Sequence, residues 1–262
     1  MCRSRQLCFS EWELPALEKE AIEYIRAHEP KEGYYVGFSG GKDSIALLHL
    51  VRMSGVKYAA YHSMTSIDPP EAIALIKKHY TEVTILKPKV PFYKLVEQKG
   101  PPKRMVRYCC TELKEKSSQD IPLKFRLMGI RAEESVRRAA RGRESTFKIG
   151  KMEQVTLKPI FHWPEWAIWE LIEKYNLHYP SLYDEGFNRL GCVCCPFSFG
   201  VSEAAKKRLA SSMERFPGIW RAFKNSCRVW WDTHDEATYW KGLSFEDWWR
   251  QYLTGKPIQR PS

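Results

Sequence analysis

Between Tyr34 and Leu86 the sequence alternates short β-rich runs with helical runs, and this alternation restricts the fold more than any other feature. Tyr34 to Phe38 is the first β-rich run. It ends in a glycine turn, Ser39-Gly40-Gly41-Lys42-Asp43-Ser44, and Ile45 to Val51 continues as an apolar helix without a breaker. Val56 to His62 reads as a second strand. Pro69 and Pro70 then open a helix whose apolar face is Ala72, Ile73, Ile76 and Tyr80. Val83 to Leu86 is a third strand. Strand, helix, strand, helix, strand demands a parallel sheet with helical crossovers. Phe125 to Ile130 and Val155 to Ile160 add strand-like segments. The expected fold class is α/β, a doubly wound, mostly parallel, Rossmann-like sheet. Ligands of such sheets gather beyond the carboxyl ends of the strands. The Ser39–Ser44 loop, the Ser66–Asp68 turn and Arg131 all fall there.

The glycine turn has the chemistry of a phosphate loop. Gly40 and Gly41 let the backbone approach an anion, Ser39 adds a hydroxyl, and the free N–H groups at the helix start point at the ligand. Lys42 supplies a mobile charge. Asp43 stands where it can hold Mg²⁺ or cap the helix, and Ser44 completes the set. The spacing is not that of the Walker loop, in which four residues separate the first glycine from Gly-Lys. Ser-Gly-Gly-Lys-Asp-Ser resembles instead the PP-loop of the ATP pyrophosphatases, which cut ATP or an adenylyl-sulfate at the α-phosphate. Asp68 reads equally as a ribose or metal ligand and as a turn former. Arg131, just past a strand end, is suited to fork-like binding of phosphate or sulfate.

The 262 residues suffice for one large α/β domain with a small appendage. Ser10 and Glu13 form a capping-box pattern before a helix carrying Leu14, Leu17, Ala21, Ile22 and Ile25. Met1 to Pro15 lacks a signal-peptide core, and no apolar run approaches a membrane span, so a cytoplasmic location without a membrane partner is the simplest expectation. There the eight cysteines favour a metal or redox site over disulfides. Cys2 and Cys8, in a polar tail, read as incidental. The net charge is +11, and Pro101 to Lys151 holds fourteen Lys and Arg against six Asp and Glu. Such an excess attracts a nucleotide, a sulfate or a nucleic-acid backbone. Arg138, Arg141 and Arg143 read as part of a mobile loop. Trp166, Trp169, Leu171 and Ile172 pack a helix opened by Pro164. Six of the ten tryptophans follow Ser202 (220, 230, 231, 240, 248 and 249), and they read as core before base-stacking surface. The expected division is a nucleotide-binding domain with the cysteines over residues 1–200, then a helical, Trp-rich extension over 201–262.

Cys109-Cys110 and the pair Cys192/Cys195 form a second constellation. Four thiolates suit zinc or an iron–sulfur cluster. The later Cys-x-x-Cys alone favours zinc, whereas the tandem pair is poor zinc-ribbon geometry.

Across roughly residues 30 to 200 the chain resembles the phosphoadenosine-phosphosulfate reductase family, within the adenine nucleotide alpha hydrolase-like superfamily. The resembling motifs are Ser39–Ser44, then Arg107-Tyr108-Cys109-Cys110 with Leu113-Lys114, then Gly129-Ile130-Arg131-Ala132-Glu133-Glu134-Ser135. Pro159-Ile160 with Trp163 and Trp169 follows, and last the run from Tyr183 through Cys192 to Pro196. The resemblance implies a 4Fe–4S cluster on Cys109, Cys110, Cys192 and Cys195, with Cys194 an extra thiol. Two departures matter. The assimilatory reductases carry a C-terminal Glu-Cys-Gly nucleophile, where this chain has only Cys227 in Asn225-Ser226-Cys227-Arg228. Their PP-loop is usually degenerate, and here it is intact. Both departures resemble the ATP-using branch, with its iron–sulfur sulfurtransferases and thiolation enzymes.

The implied activity is attack at the α-phosphate of ATP, with Mg²⁺, to adenylate an acceptor oxygen that sulfur then replaces. Lys42, Asp43, Arg131 and Lys114 would be the catalytic residues. Ser39, Gly40, Gly41, Lys42, Asp43, Ser44 and Asp68 would bind the nucleotide. A nucleic acid is one candidate acceptor, and a sulfur- or electron-donor protein one candidate partner. Two alternatives stand beside this: a sulfonucleotide reductase using Cys227 or a partner's thiol, and a non-catalytic accessory that binds nucleotide and cluster.

Overall fold

The computed structural model describes residues 13–149, 152–233 and 242–259. Ser10 of the capping box, Cys2, Cys8 and Trp240 lie outside them. In chain order the elements are α1 (Leu14–Ala27), β1 (Tyr34–Gly37), α2 (Lys42–Ser54), β2 (Tyr58–Ser63), α3 (Pro70–His79), β3 (Thr84–Leu86) and α4 (Phe92–Lys99). There follow β4 (Phe125–Met128), β5 (Glu144–Ile149), β6 (Met152–Leu157), α5 (Glu165–Lys174), α6 (Glu203–Arg215), α7 (Pro217–Thr233) and α8 (Phe245–Leu253). The chain forms two compact units. One comprises Met1–Ser63, Pro70–Leu86 and Ser118–Leu190, and the other Met64–Pro69, Lys87–Ser117 and Gly191–Ser262. The boundary expected at residue 200 falls inside the second unit.

The first unit holds a six-stranded sheet in the order β3-β2-β1-β4-β6-β5. All pairings are parallel except β5 with β6. From β1 the chain steps outward to β2 and β3, then returns to β4 on the other side of β1. The strand order therefore reverses between β1 and β4, the switch point at which open α/β sheets bind ligands. One face of the sheet (Val36, Leu127, Leu157) and the helices α1, α2 and α5 make the apolar core. α2 is apolar nearly all round because it is nearly all buried: Leu47, Leu48, Leu50 and Val51 are sealed from solvent. Each such side chain contributes about 1.5–3 kcal/mol. Trp163 is buried as well, but Trp166, expected to pack α5, is 47% exposed.

β5 departs from the sequence expectation. Glu144 to Ile149 pairs antiparallel with β6, Ser145 opposite Thr156 and Phe147 opposite Gln154. A mixed polar and apolar segment is an ordinary edge strand, since only one of its sides must find a ladder partner. Arg143 just ahead of it is anchored too, its guanidinium on Glu20 at 2.6 and 3.1 Å and on the Pro159 carbonyl at 2.9 Å.

In the second unit α4 packs on α7. Trp220, Phe223, Trp230, Trp231, Phe245, Trp248, Trp249 and Tyr252 are buried, so the described tail aromatics are core and present no base-stacking face. The Trp248 and Tyr252 rings stack at 5.4 Å, and the Tyr252 hydroxyl donates to the Pro102 carbonyl at 2.8 Å. No described helix is long and apolar enough to cross a membrane.

Candidate functional site

The glycine loop is built at the carboxyl end of β1. Gly40 takes φ +77°, a conformation L side chains rarely adopt. The chain enters α2 at Lys42 with Gly41 as a cap that offers no side-chain acceptor. A helix start leaves its first N–H groups without internal partners. Here the Gly41 N–H donates to Ser39 Oγ at 3.3 Å and the Lys42 N–H to the Tyr183 hydroxyl at 3.0 Å. Ser44 braces the loop from within: its Oγ donates to the Gly41 carbonyl at 2.8 Å and accepts from the Ser39 N–H at 3.2 Å. The Lys42 side chain is only 5% exposed. Its Nζ lies 3.1 Å from the Asn188 carbonyl, 3.2 Å from Glu165 Oε1 and 3.7 Å from Asp43 Oδ2.

Arg131 arrives from the other side of the switch point, three residues beyond β4. Its Nε donates to Asp43 Oδ1 at 2.6 Å, and its Nη1 to Glu133 Oε2 at 2.5 Å and the Trp163 carbonyl at 3.3 Å. The structure thus brings Lys42, Asp43 and Arg131 together. Their arrangement differs from the sequence expectation. Arg131 is 3% exposed with Nε and Nη1 engaged by protein groups, and Asp43 bridges two cations. Arg131 therefore fixes the start of α2 through Asp43. Glu133 Oε2 also accepts from the Glu165 N–H at 2.9 Å, tying the start of α5 to the same network.

Tyr183, Asn188 and Glu165 are the contacts that sequence reasoning missed. The available signal was indirect: a buried ammonium and a helix start both need acceptors, but not which ones. Burial pushes the Tyr183 phenol up to about 12, with Asp43 and Glu165 adding to the rise, so it stays neutral at physiological pH.

Gly129 lets the two loops meet. A Cβ on it would lie 2.7 Å from the Asp43 carbonyl oxygen and 3.1 Å from the Ser44 nitrogen, both backbone atoms that cannot rotate away. Gly129→Ala is expected to destabilise the chain by about 1–3 kcal/mol. A fall in the urea midpoint measures this, and an unchanged midpoint would show the β4–α2 approach to be loose.

The thiols gather in the second unit. Cys109 and Cys110 lie on the turn Tyr108–Cys110, which runs into a π-helical turn, Thr111–Glu115. Cys192 and Cys195 close a turn in which the Cys195 N–H donates to the Cys192 carbonyl at 3.2 Å, and the Val193 N–H donates to the Ile67 carbonyl at 2.8 Å. The four sulfurs share one electrostatic neighbourhood. Cys109 is pushed well up by its hydrogen bond to Cys110, by burial, and by the charges of Cys110, Cys192 and Cys195. That same hydrogen bond, with Lys114 and Arg107, holds Cys110 below the ordinary thiol range. Arg107 Nη1 lies 3.8 Å from Cys110 Sγ. The Cys192 thiol donates to Thr65 Oγ1 at 3.5 Å. Attraction to Cys192 raises Lys114 above its ordinary value, so Lys114 is a charge partner of the thiols. Four thiol donors beside two cations suit the soft-metal and iron–sulfur class. Among the described residues, no group of three or more His, Cys, Asp or Glu stands in the arrangement of a bound metal ion. Asp68 turns both oxygens on its own loop, accepting from the Thr65 N–H at 2.6 Å and the Thr65 hydroxyl at 2.8 Å.

Cys194 and Cys227 differ from those four. Both are fully buried, and burial drives each thiol well above its usual value. A neutral, inaccessible thiol is a poor nucleophile, and this burial speaks against Cys227 as the attacking group of a reductase. Cys227→Ala is expected to leave turnover unchanged while costing about 1 kcal/mol of stability. Loss of turnover in a folded Cys227→Ala chain would reinstate Cys227 as nucleophile.

The model of the phosphoadenosine phosphosulfate reductase domain matches residues 33–198, a span that includes the glycine loop, Arg131 and the four thiols. An uncharacterized protein of Methanocaldococcus jannaschii is 29% identical over 243 residues, 86% of this chain and 48% of that protein. An adenosine 5'-phosphosulfate reductase of Oceanobacillus iheyensis is 30% identical over 108 residues, 40% of this chain and 43% of that one. The solved phosphoadenylyl-sulfate reductase of Candida auris superimposes with a TM-score of 0.51 at 15% identity, covering 68% of this chain and 93% of its own, a likeness of fold. The chain spans about half the length of the curated relatives it matches.

Proposed function

This chain belongs to the phosphoadenosine phosphosulfate reductase domain family, and from that premise we propose that it is a PP-loop enzyme that adenylates an acceptor oxygen with ATP and supports its replacement by sulfur. The observation that carries the reading is the intact loop at the switch point, with Gly40 at φ +77° and the Lys42 ammonium buried beside it. An acceptor oxygen attacks the α-phosphorus, the bond from that phosphorus to the bridging oxygen breaks, and pyrophosphate leaves with the electron pair. The N–H groups of Gly41 and Lys42 and the Lys42 ammonium stabilise the charge that accumulates on it. A sulfur nucleophile then displaces AMP from the activated acceptor. Arg131 acts at one remove, holding Asp43 and with it the first turn of α2. Mg²⁺ would come with the nucleotide's phosphates and offset their charge, since Lys42 and Arg131 already engage both Asp43 oxygens.

Cys109, Cys110, Cys192 and Cys195 would hold a 4Fe–4S cluster. Bound there by four thiolates, the cluster would supply the redox and electrostatic chemistry of an iron–sulfur centre. Arg107 and Lys114 offset the negative charge of the thiolates, and Thr65, fixed by Asp68, orients Cys192. A nucleic acid is the acceptor class that the basic excess favours, and a sulfur-donor protein would complete the reaction.

The test is to purify the chain anaerobically, count iron and sulfide, and assay AMP and pyrophosphate release from MgATP with tRNA, DNA and small acceptors. Absence of both products with every acceptor, in protein that holds its iron, would sink the proposal. A second reading, reduction of adenylyl-sulfate with a partner's thiol, is favoured by the identity with the Oceanobacillus iheyensis reductase. Sulfite release from adenylyl-sulfate with a dithiol protein would select it.

A further inference from the structure

Two donors that a phosphate needs in the glycine loop are taken by one segment of the protein itself. The Lys42 N–H donates to the Tyr183 hydroxyl at 3.0 Å, and Lys42 Nζ donates to the Asn188 carbonyl at 3.1 Å. The Tyr183 hydroxyl also lies 3.2 Å from where a Cβ on Gly41 would stand, so it sits over the loop's closest approach. The segment between is a compact turn: the Gly186 N–H donates to the Tyr183 carbonyl at 3.1 Å and the Phe187 N–H to the Leu182 carbonyl at 3.0 Å. Gly186 at φ +90° makes that turn possible.

We propose that the Tyr183–Arg189 segment is an autoinhibitory strap whose phenol stands where a phosphate oxygen binds, so that nucleotide must displace Tyr183 to enter. The inference rests on the PP-loop reading above and adds regulation to the same site. Three physical points carry it. The phenol is a neutral acceptor, and a charged phosphate oxygen makes a hydrogen bond roughly twice as strong at a helix N-terminus. The Tyr183 ring also lies against the Lys42 ammonium, 5.4 Å from it, and edge-on to Trp169 at 5.1 Å. Displacing the ring therefore frees the ammonium and changes the surroundings of an indole in one movement. Arg189, 3.8 Å from Glu134 and 64% exposed, is the segment's weakly held end.

Tyr183→Phe keeps the ring and its packing on Trp169 but removes the acceptor. If the phenol were a phosphate ligand, its loss would weaken binding. If it is a competitor, its loss tightens binding. The expected result is that Tyr183→Phe binds MgATP roughly two- to tenfold more tightly than the natural chain, the worth of one neutral hydrogen bond. Tryptophan emission should change on ATP addition in the natural chain, and Trp169→Phe should remove most of that change. Titration calorimetry gives the affinity, and a thermal melt confirms that both variants fold. Natural chain that binds MgATP with Tyr183→Phe equal or weaker overturns the strap and leaves the PP-loop reading intact. Failure of both proteins to bind overturns both. Binding by Tyr183→Phe alone supports the strap in its strongest form.

Discussion

Replacing Arg131 with methionine is expected to destabilise the chain by about 3 kcal/mol, the low end of the range for removing one partner of a buried ion pair. The guanidinium is 3% exposed and gives Nε to Asp43, and Nη1 to both Glu133 and the Trp163 carbonyl. Methionine fills the volume and supplies none of these donors. Among the described residues Asp43 then keeps Lys42 at 3.7 Å as its ion-pair partner, and the Trp163 carbonyl loses the Arg131 donor. Glu133 is 57% exposed and can turn to water, which keeps the cost at the lower end. Arg131→Lys is not a rescue, because one ammonium cannot span three acceptors set around a fork. Urea unfolding measures the effect, and a double-mutant cycle with Asp43→Asn isolates the pair. If Arg131→Met unfolds at the natural midpoint yet loses nucleotide affinity, Arg131 is an open phosphate ligand after all, and its structural role is wrong.

That question could not be decided from the sequence. Gly129-Ile130-Arg131 after a strand predicts that an arginine stands at the carboxyl edge of the sheet, and it does. Whether its fork faces a ligand or a carboxylate depends on Asp43, 88 positions away. The parallel sheet itself was legible, because alternating strand and helix periods leave one topology. β5 was not, since an edge strand carries too little apolar pattern to stand out from a polar loop. The buried state of the tail tryptophans was legible from their number, but not the exposure of Trp166, whose spacing on α5 looks like its buried neighbours'. The four thiols stood out in the sequence as a set, but their assignment to one cluster came only through the family resemblance. Adjacent cysteines with a distant Cys-x-x-Cys state no geometry, and it takes the Ile67–Val193 backbone contact to show how one side of the set is held. Asp68 was ambiguous for the same reason: a carboxylate after turn residues caps its own loop or binds a ligand, and the sequence does not show that Thr65 engages both its oxygens.

The larger functional effect is expected at Lys42. Lys42→Ala should lower AMP and pyrophosphate production by about 10²–10³-fold, the usual loss when one preorganised charge-stabilising donor is removed. It should also weaken MgATP binding. Its effect on stability should be small, in contrast with Arg131→Met. Removing Lys42 leaves Glu165 half-exposed and able to solvate itself, leaves Asp43 on Arg131 at 2.6 Å, and leaves the Lys42 backbone N–H on Tyr183. Lys42→Arg should not restore activity, because the site encloses the ammonium to 5% exposure and a guanidinium needs more room. The two substitutions are therefore expected to separate the two halves of the switch point: a β4 side that holds the loop in place and an α2 side that would meet the phosphates. Equilibrium binding of MgATP and product counts on the same preparations test this. A Lys42→Ala chain that binds MgATP with unchanged affinity would mean that the loop does not grip phosphate, and the nucleotide reading of the whole site would fall with it.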